Sequence, residues 1–370
     1  MVFGANRQSN PTVDTISVLT LTSGGCNPRH IADRLSRQRG VAVRRTLALA
    51  VAAVVATTVA ACGSGPAPGA GPEGESSGGQ ITMGFSQVGA ESGWRTANTK
   101  SIQEAAAATD IDLKFSDANG KQENQISAIR SFIQQHVDVI AFSPVVRTGW
   151  DAVLLEAKAA GIPVILTDRA VDTEETDVYK TFVGADFVDE GRRAGAWVAQ
   201  QYAAATGPVN IVELQGTTGA DPAIERSKGF IESIAPNPNL KVIASQTGDF
   251  TRSGGKQVME AFLKANPKID VVFAQNDDMG LGAIEAIEAA GLKPGQDIRI
   301  VAVDATRDGM QALADGKFNF LVECNPLLGP QLMDLAMKVV AGDSVPARVV
   351  VPDQTFDQQQ AKAVLPERKY

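Results

Sequence analysis

From Ile81 onward the chain alternates between short β-branched runs and longer alanine-rich stretches with helical spacing. The strand candidates are Ile81–Ser86, Leu113–Ser116, Val139–Ser143, Val164–Thr167, Thr181–Val183, Val209–Gln215, Lys241–Thr247, Val271–Gln275, Ile298–Val303 and Phe318–Glu323, with one more at Arg348–Val351. Between them lie helix candidates at Trp94–Thr109, Gln122–His136, Trp150–Ala160, Asp189–Ala205, Pro222–Ser233, Ser253–Ala265, Gly280–Ala290, Arg307–Ala314 and Pro326–Ala341. Strict β/α alternation implies parallel sheets with helices on both faces. Runs without a polar face, such as Val209–Val212 and Val271–Ala274, suit strands buried on both sides. Two successive sets of such units predict an α/β fold with two doubly wound parallel-sheet lobes. Ligands of these sheets bind outside the carboxyl ends of the strands, so those ends are where chemistry is sought.

The strand ends are rich in polar groups. The first leads through Ser86 and Gln87 to Glu91, Trp94 and Arg95; later ones end at Ser143 and at Asp168-Arg169. The second set ends at Glu213 and Gln215, Asp249-Phe250, Asn276-Asp277-Asp278, Asp304 and Glu323, and Arg226 lies in the helix after Gln215. This mixture suits a polyol. Carboxylates and guanidinium groups bind hydroxyls through charge-assisted hydrogen bonds, and Trp94 or Phe250 can pack on the apolar face of a sugar ring. Taken singly, each residue has a plainer reading: Asp168-Arg169 an exposed ion pair, Arg226 a solvated helix face, Trp94 a core residue, Asp277 or Asp278 the cap of a helix starting at Gly280. Only their joint placement at strand ends favours binding. No G-x-x-x-x-G-K-[ST] and no G-x-G-x-x-G after a strand is present to cradle phosphate.

Ahead of this region, Arg44-Arg45, an apolar run from Leu47 to Ala61 and the sequence Val59-Ala60-Ala61-Cys62 form a secretory signal ending at a cysteine. The run is short of the roughly 20 residues a membrane span needs. Cys62 after small residues resembles the lipobox of bacterial lipoproteins, in which the thiol is acylated. The bounds expected are a signal region at 1–61, with 1–40 an upstream extension that is not translated, and a Gly/Pro/Ser-rich linker at 62–80. The chain carries a net charge of −8, and the part before Cys62 has seven Arg against two Asp, so the remainder is more acidic still. That argues against nucleic acid as a partner. After Cys62 only Cys324 and His136 represent their residue types; this leaves no intramolecular disulfide and all but excludes a His-based metal site or a Ser-His triad.

These residues together resemble the type I periplasmic sugar-binding proteins of ABC transporters, and among them most the galactofuranose-binding proteins. The most specific stretches are Gly84-Phe85-Ser86-Gln87-Val88-Gly89 through Glu91-Ser92-Gly93-Trp94-Arg95, Lys121–Ile126, Ser143-Pro144-Val145-Val146 with Thr148-Gly149-Trp150, Val212–Thr217, Gly248–Ser253 and Asn276-Asp277-Asp278-Met279. The resemblance implies two lobes, 81–183 plus 325–350 and 184–323 plus 351–370, joined by a three-segment hinge that closes on the ligand. It implies sugar contacts from Trp94, Arg95, Ser143, Asp168 and Arg169 on one side, and from Arg226, Asp249, Phe250, Asn276, Asp304 and Glu323 on the other. It implies no cofactor, a monosaccharide ligand, an ABC permease as partner, an extracytoplasmic monomer, and anchorage through Cys62. Two departures stand out: Val303-Asp304-Ala305-Thr306 replaces the usual Asp-Gly pair, which predicts a different local turn, and Cys324 adjoins Glu323, where a buried, inert thiol is expected.

Other sugars of the same class fit these residue types: ribose, galactopyranose, arabinofuranose or a cyclitol. A sugar-responsive repressor shares the two-lobed body but needs a helix-turn-helix before Ile81, where an apolar run and a linker stand instead. A glycosidase needs a carboxylic acid of raised pKa, whereas the neighbouring arginines are expected to lower those of Asp168, Asp249, Asp277, Asp304 and Glu323. A sensor that feeds a signalling receptor uses the same binding chemistry.

Overall fold

The structure, a computed structural model, describes residues 79–370. The signal region, Cys62 and nearly all of the linker expected from the sequence lie outside them. Two six-stranded sheets organise the chain. The first contains β1 (Thr82–Gln87), β2 (Asp112–Asp117), β3 (Val139–Phe142), β4 (Val164–Thr167), β5 (Thr181–Gly184) and β11 (Arg348–Val350), in the order β11-β5-β4-β3-β1-β2. The second contains β6 (Val209–Gln215), β7 (Leu240–Thr247), β8 (Val271–Ala274), β9 (Arg299–Asp304), β10 (Phe320–Glu323) and β12 (Thr355–Phe356), in the order β12-β10-β9-β8-β6-β7. All pairings are parallel except β10 with β12. The helices are α1 (Gly93–Ala108), α2 (Gln122–Gln134), α3 (Asp151–Ala159), α4 (Phe187–Gln201), α5 (Asp221–Ile234), α6 (Arg252–Ala265), α7 (Asp277–Ala289), α8 (Arg307–Ala314), α9 (Gly329–Ala341) and α10 (Gln358–Val364).

The chain passes between the sheets three times: after β5, after β10 and between β11 and β12. Helix α9 packs Leu332, Met333 and Ala336 against Met83, Phe85 and Ile102, so it belongs with the first sheet. The central strands β3 and β8 are buried along their whole length, as their uninterrupted apolar runs require. Each such side chain contributes about 1.5–3 kcal/mol on full burial.

Sequence and structure differ in detail. Helix α7 starts at Asp277, and its cap is Asn276, whose side chain accepts from the Met279 amide; Asn276 therefore takes the role expected of Asp277 or Asp278. Helix α9 starts three residues later than Pro326. Strand β12 and helix α10 are not predicted by the sequence pattern, because a two-residue strand and the stretch Gln358-Gln359-Gln360-Ala361 carry almost no apolar periodicity.

Close helix packing places one key side chain. A Cβ on Gly191 of α4 would collide with the backbone of Arg226, and one on Gly229 of α5 with the backbone of Val188. These glycines bring α4 and α5 into backbone contact and so set Arg226 beside Glu190.

Candidate functional site

The carboxyl ends of the two sheets face one another across a cleft lined by Glu91, Ser92, Trp94, Arg95, Asp168 and Arg169 on one side and by Phe187, Pro222, Arg226, Phe250, Asn276, Asp304 and Cys324 on the other. The cleft holds about 20 Å³ of accessible space, the room of about one water molecule. A larger hollow of about 430 Å³, lined by Asp138, Lys158 and Lys180, lies in the first lobe at the opposite, amino-terminal ends of the strands, where no strand-end chemistry converges.

Each side of the cleft is built on arginine. Ser92 caps α1 by accepting from the Arg95 amide and thereby aims Arg95 inward. The Arg95 guanidinium bridges Asp168 Oδ2 at 2.7 Å and Glu91 Oε1 at 3.1 Å. Burial would depress its pKa, but the two carboxylates outweigh that and raise it. Arg169 lies 3.5 Å from Glu91 and sits over the Phe250 ring at 5.3 Å. With less compensation for its burial and with Arg95 nearby, it is pushed down to about 10 and stays charged at neutral pH. Burial pushes Glu91 up, yet Arg95 and Arg169 together hold it below the ordinary carboxylate range. Across the cleft, Arg226 donates to Glu190 Oε2 and to the Gln275 carbonyl, both at 2.6 Å, and lies 3.4 Å from Asp304.

Two buried polar atoms of the lining, Glu91 Oε2 and Arg169 Nε, find no hydrogen-bond partner among the described residues, and neither does Glu190 Oε1 beside Arg226. Such groups are costly unless something pairs with them, and hydroxyls are suited to both carboxylate and guanidinium.

Eight sequence-predicted contacts line the cleft: Trp94, Arg95, Asp168, Arg169, Arg226, Phe250, Asn276 and Asp304. The plainer readings of Asp168-Arg169 and Arg226 are set aside, since all three are almost fully buried. Trp94 is both a lining residue and a core residue: its ring packs with Ala185 and Phe187, and its Nε1 donates to the Cys324 carbonyl at 2.6 Å. Asn276 lines the cleft while capping α7, and its Nδ2 donates to the Phe250 carbonyl.

Three expected contacts stand elsewhere. Ser143 lies behind the wall, donating to Asp168 Oδ2 at 2.9 Å and accepting from Arg95 at 3.4 Å. Asp249 is exposed and accepts from Thr247. Asp249 and Phe250 both adopt left-handed backbone, φ 55° and 61°, so the chain turns Phe250 into the cleft and Asp249 outward. Glu323 faces away, accepting from the Gln354 amide, Arg368 and Tyr370. Successive residues at a strand end point to opposite sides, so Cys324 takes the cleft position. The thiol of Cys324 is buried and pushed well up, by desolvation first and by Glu190 next, as expected of an inert cysteine. Glu91, Ser92, Phe187, Pro222 and Cys324 also line the cleft without being among the predicted contacts; Glu91 has the charge that marks ligand chemistry in a sequence, Ser92 offers only a capping hydroxyl, and Phe187, Pro222 and Cys324 carry no charge or amide that would mark them.

Burial also overturns one argument made from sequence. Burial pushes Asp277 up to about 8, and Asp304 is raised well above the ordinary carboxylate range, because desolvation outweighs the opposing charge of Arg226. The turn predicted to be unusual is so: Asp304 and Ala305 have φ of 108° and 57°.

A profile described as the periplasmic binding protein domain matches residues 83–344. The chain belongs to the periplasmic binding protein family. It is 47% identical over 279 residues to the galactofuranose-binding protein YtfQ of Escherichia coli K12, covering 75% of this chain and 87% of that one. A Mycobacterium smegmatis structure in complex with β-D-fucofuranose is 79% identical, with TM-score 0.78, covering 78% of this chain and 95% of that one. The binding component of the arabinose ABC transporter of Shewanella sp. ANA-3, bound to α- and β-L-arabinofuranose, is 46% identical, with TM-score 0.75, covering 78% and 96%. No helix among the described residues is long and apolar enough to cross a membrane.

Proposed function

We infer that this periplasmic binding protein captures a monosaccharide in its furanose form, galactofuranose or a close relative, and delivers it to an ABC importer. The observation that carries the reading is the pair of arginine–carboxylate clusters, Glu91-Arg95-Asp168-Arg169 and Glu190-Arg226-Asp304, facing each other beside Trp94 and Phe250. Hydroxyls entering here meet donors and acceptors already desolvated, where hydrogen bonds are strong, and Glu91 Oε2 and Arg169 Nε gain partners. The three relatives, each named for a furanose or crystallised with one, support the ring form.

The lobes proposed are 81–183 with 325–350 and 184–323 with 351–370. The closed cleft is too small to admit a sugar, so entry requires the three crossings to hinge. Export and anchorage through Cys62 would hold the protein beside its permease, and it would act as a monomer without cofactor. Glu91 and Asp168 serve as hydroxyl acceptors paired with Arg95 and Arg169, in a protein that binds its sugar without catalysis. Turnover of a nitrophenyl furanoside would refute that last point.

The test is a thermal-shift and calorimetric screen of D-galactose, D-fucose, L-arabinose, D-ribose and myo-inositol, the first four supplying furanose forms in solution. A ligand at a hundred times its Kd adds about 2.7 kcal/mol of stability. Binding of the furanose-forming sugars supports the reading; a melting curve unmoved by all five refutes it.

A further inference from the structure

The turn that presents Asp304 to the cleft is held from the far side by a residue that does not line it. Asp304 and Ala305 are consecutive non-glycine residues at positive φ, a backbone state that alanine adopts only at a cost and that persists only where its surroundings enforce it. The enforcing contacts are visible. The Asp304 carbonyl accepts from the Cys324 amide at 3.3 Å. The Thr306 amide donates to Asp277 Oδ2 at 2.6 Å. The carbonyl of Ala305 itself accepts from Arg368 Nε at 2.8 Å.

Arg368 is in turn held through its Nε and Nη1, while its buried Nη2 finds no hydrogen-bond partner among the described residues. Its Nη1 donates to Glu323 Oε1 at 2.7 Å, its guanidinium lies 4.2 Å from the Tyr370 ring centre and 5.3 Å from that of Phe356, and the Tyr370 hydroxyl donates to the same Glu323 oxygen at 2.6 Å. The other Glu323 oxygen accepts from the Gln354 amide. Glu323 and Gln354 belong to two of the three crossings, so one guanidinium joins the hinge to the strained turn.

We propose that Arg368 is a positioning residue for ligand capture, holding the Asp304–Ala305 turn so that the Asp304 carboxyl group faces the cleft. The geometry also accounts for Glu323, which the sequence placed at the ligand: it anchors Arg368 instead. This inference rests on the sugar-binding reading above.

The experiment measures calorimetric affinity of the full chain for D-galactose, D-fucose and L-arabinose, in the unaltered protein and in Arg368→Ala, Ala305→Gly and the double variant. Arg368→Ala is expected to weaken binding about tenfold, equivalent to about 1.4 kcal/mol. Glycine at 305 makes the left-handed backbone free of its side-chain cost, so the double variant is expected to regain most of that loss. A merely structural role for Arg368 gives no such rescue. If Arg368→Ala does not fold, Arg368→Lys, which keeps the charge but not the planar fork, is compared with and without Ala305→Gly in the same way. Equal affinity in Arg368→Ala and the unaltered protein, or a loss that Ala305→Gly leaves untouched, overturns the positioning role while the sugar-binding reading stands. Failure of the unaltered protein to bind any of the three sugars overturns both.

Discussion

Arg147 offers a direct test of whether lobe closure contributes to affinity. It lies on the loop between β3 and α3 of the first lobe and reaches across to α5 of the second. Its Nη1 is 2.6 Å from Glu225 Oε1, and its Nε is 3.4 Å from Asp221 Oδ1. The Arg147 amide also donates to the Gly219 carbonyl, and the Ala170 amide to Asp221 Oδ2, so the ion pairs belong to a seam that exists only when the lobes meet. Arg147 is 25% exposed, Glu225 20% and Asp221 8%. A fully exposed pair contributes about 0.2–1 kcal/mol and a hydrogen bond to a charged group about 1.5–3 kcal/mol. At this intermediate exposure, Arg147→Ala is expected to remove about 1–2 kcal/mol from the closed state. The open protein lacks the seam, so the loss falls on the complex and raises Kd by about 5- to 30-fold, mostly through faster release. Stopped-flow release and calorimetry with L-arabinose measure both quantities. A double-mutant cycle with Glu225→Ala isolates the pair, and the difference should shrink as salt screens it. Arg147→Ala with Kd and release rate within twofold of the unaltered protein would refute the seam as a contributor to closure.

Three further outcomes are expected. Arg169→Ala should weaken sugar binding by more than about a hundredfold, since breaking a buried charged contact costs about 3–5 kcal/mol; calorimetry showing retained affinity would remove Arg169 from the site. Gly216→Ala places a Cβ inside the Phe250 ring, so the ring must leave the cleft; affinity should fall while circular dichroism stays that of the native fold, and unchanged affinity would show the ring to be unimportant. Asp353, on the third crossing, is pushed up to about 8 by burial and then by Glu190. A carboxyl raised on folding contributes stability that is full below its ordinary value near 4 and lost as pH rises through about 8. Asp353→Asn should therefore flatten the fall in Tm between about pH 4 and pH 8, and an unchanged slope would contradict the shift.

Much of this protein can be read from the order of its residues. The β/α alternation from Ile81 onward dictates parallel sheets, because a strand apolar on both faces must be covered on both. The polar residues at strand ends mark the binding edge, because the carboxyl ends of such sheets leave a crevice open. Eight of the proposed contacts line the cleft for that reason. What sequence alone does not decide is direction at the level of single residues. Asp249 and Phe250 are adjacent, and two left-handed backbone angles send one to solvent and the other into the cleft. Glu323 and Cys324 are adjacent, and the strand's alternation sends the carboxylate to Arg368 and the thiol to the cleft. Ser143 has suitable chemistry but stands one layer behind Asp168. The ionisation of Asp304 is likewise a tertiary property: an arginine beside it is legible in the residue types, but the burial that outweighs that arginine exists only in the folded structure.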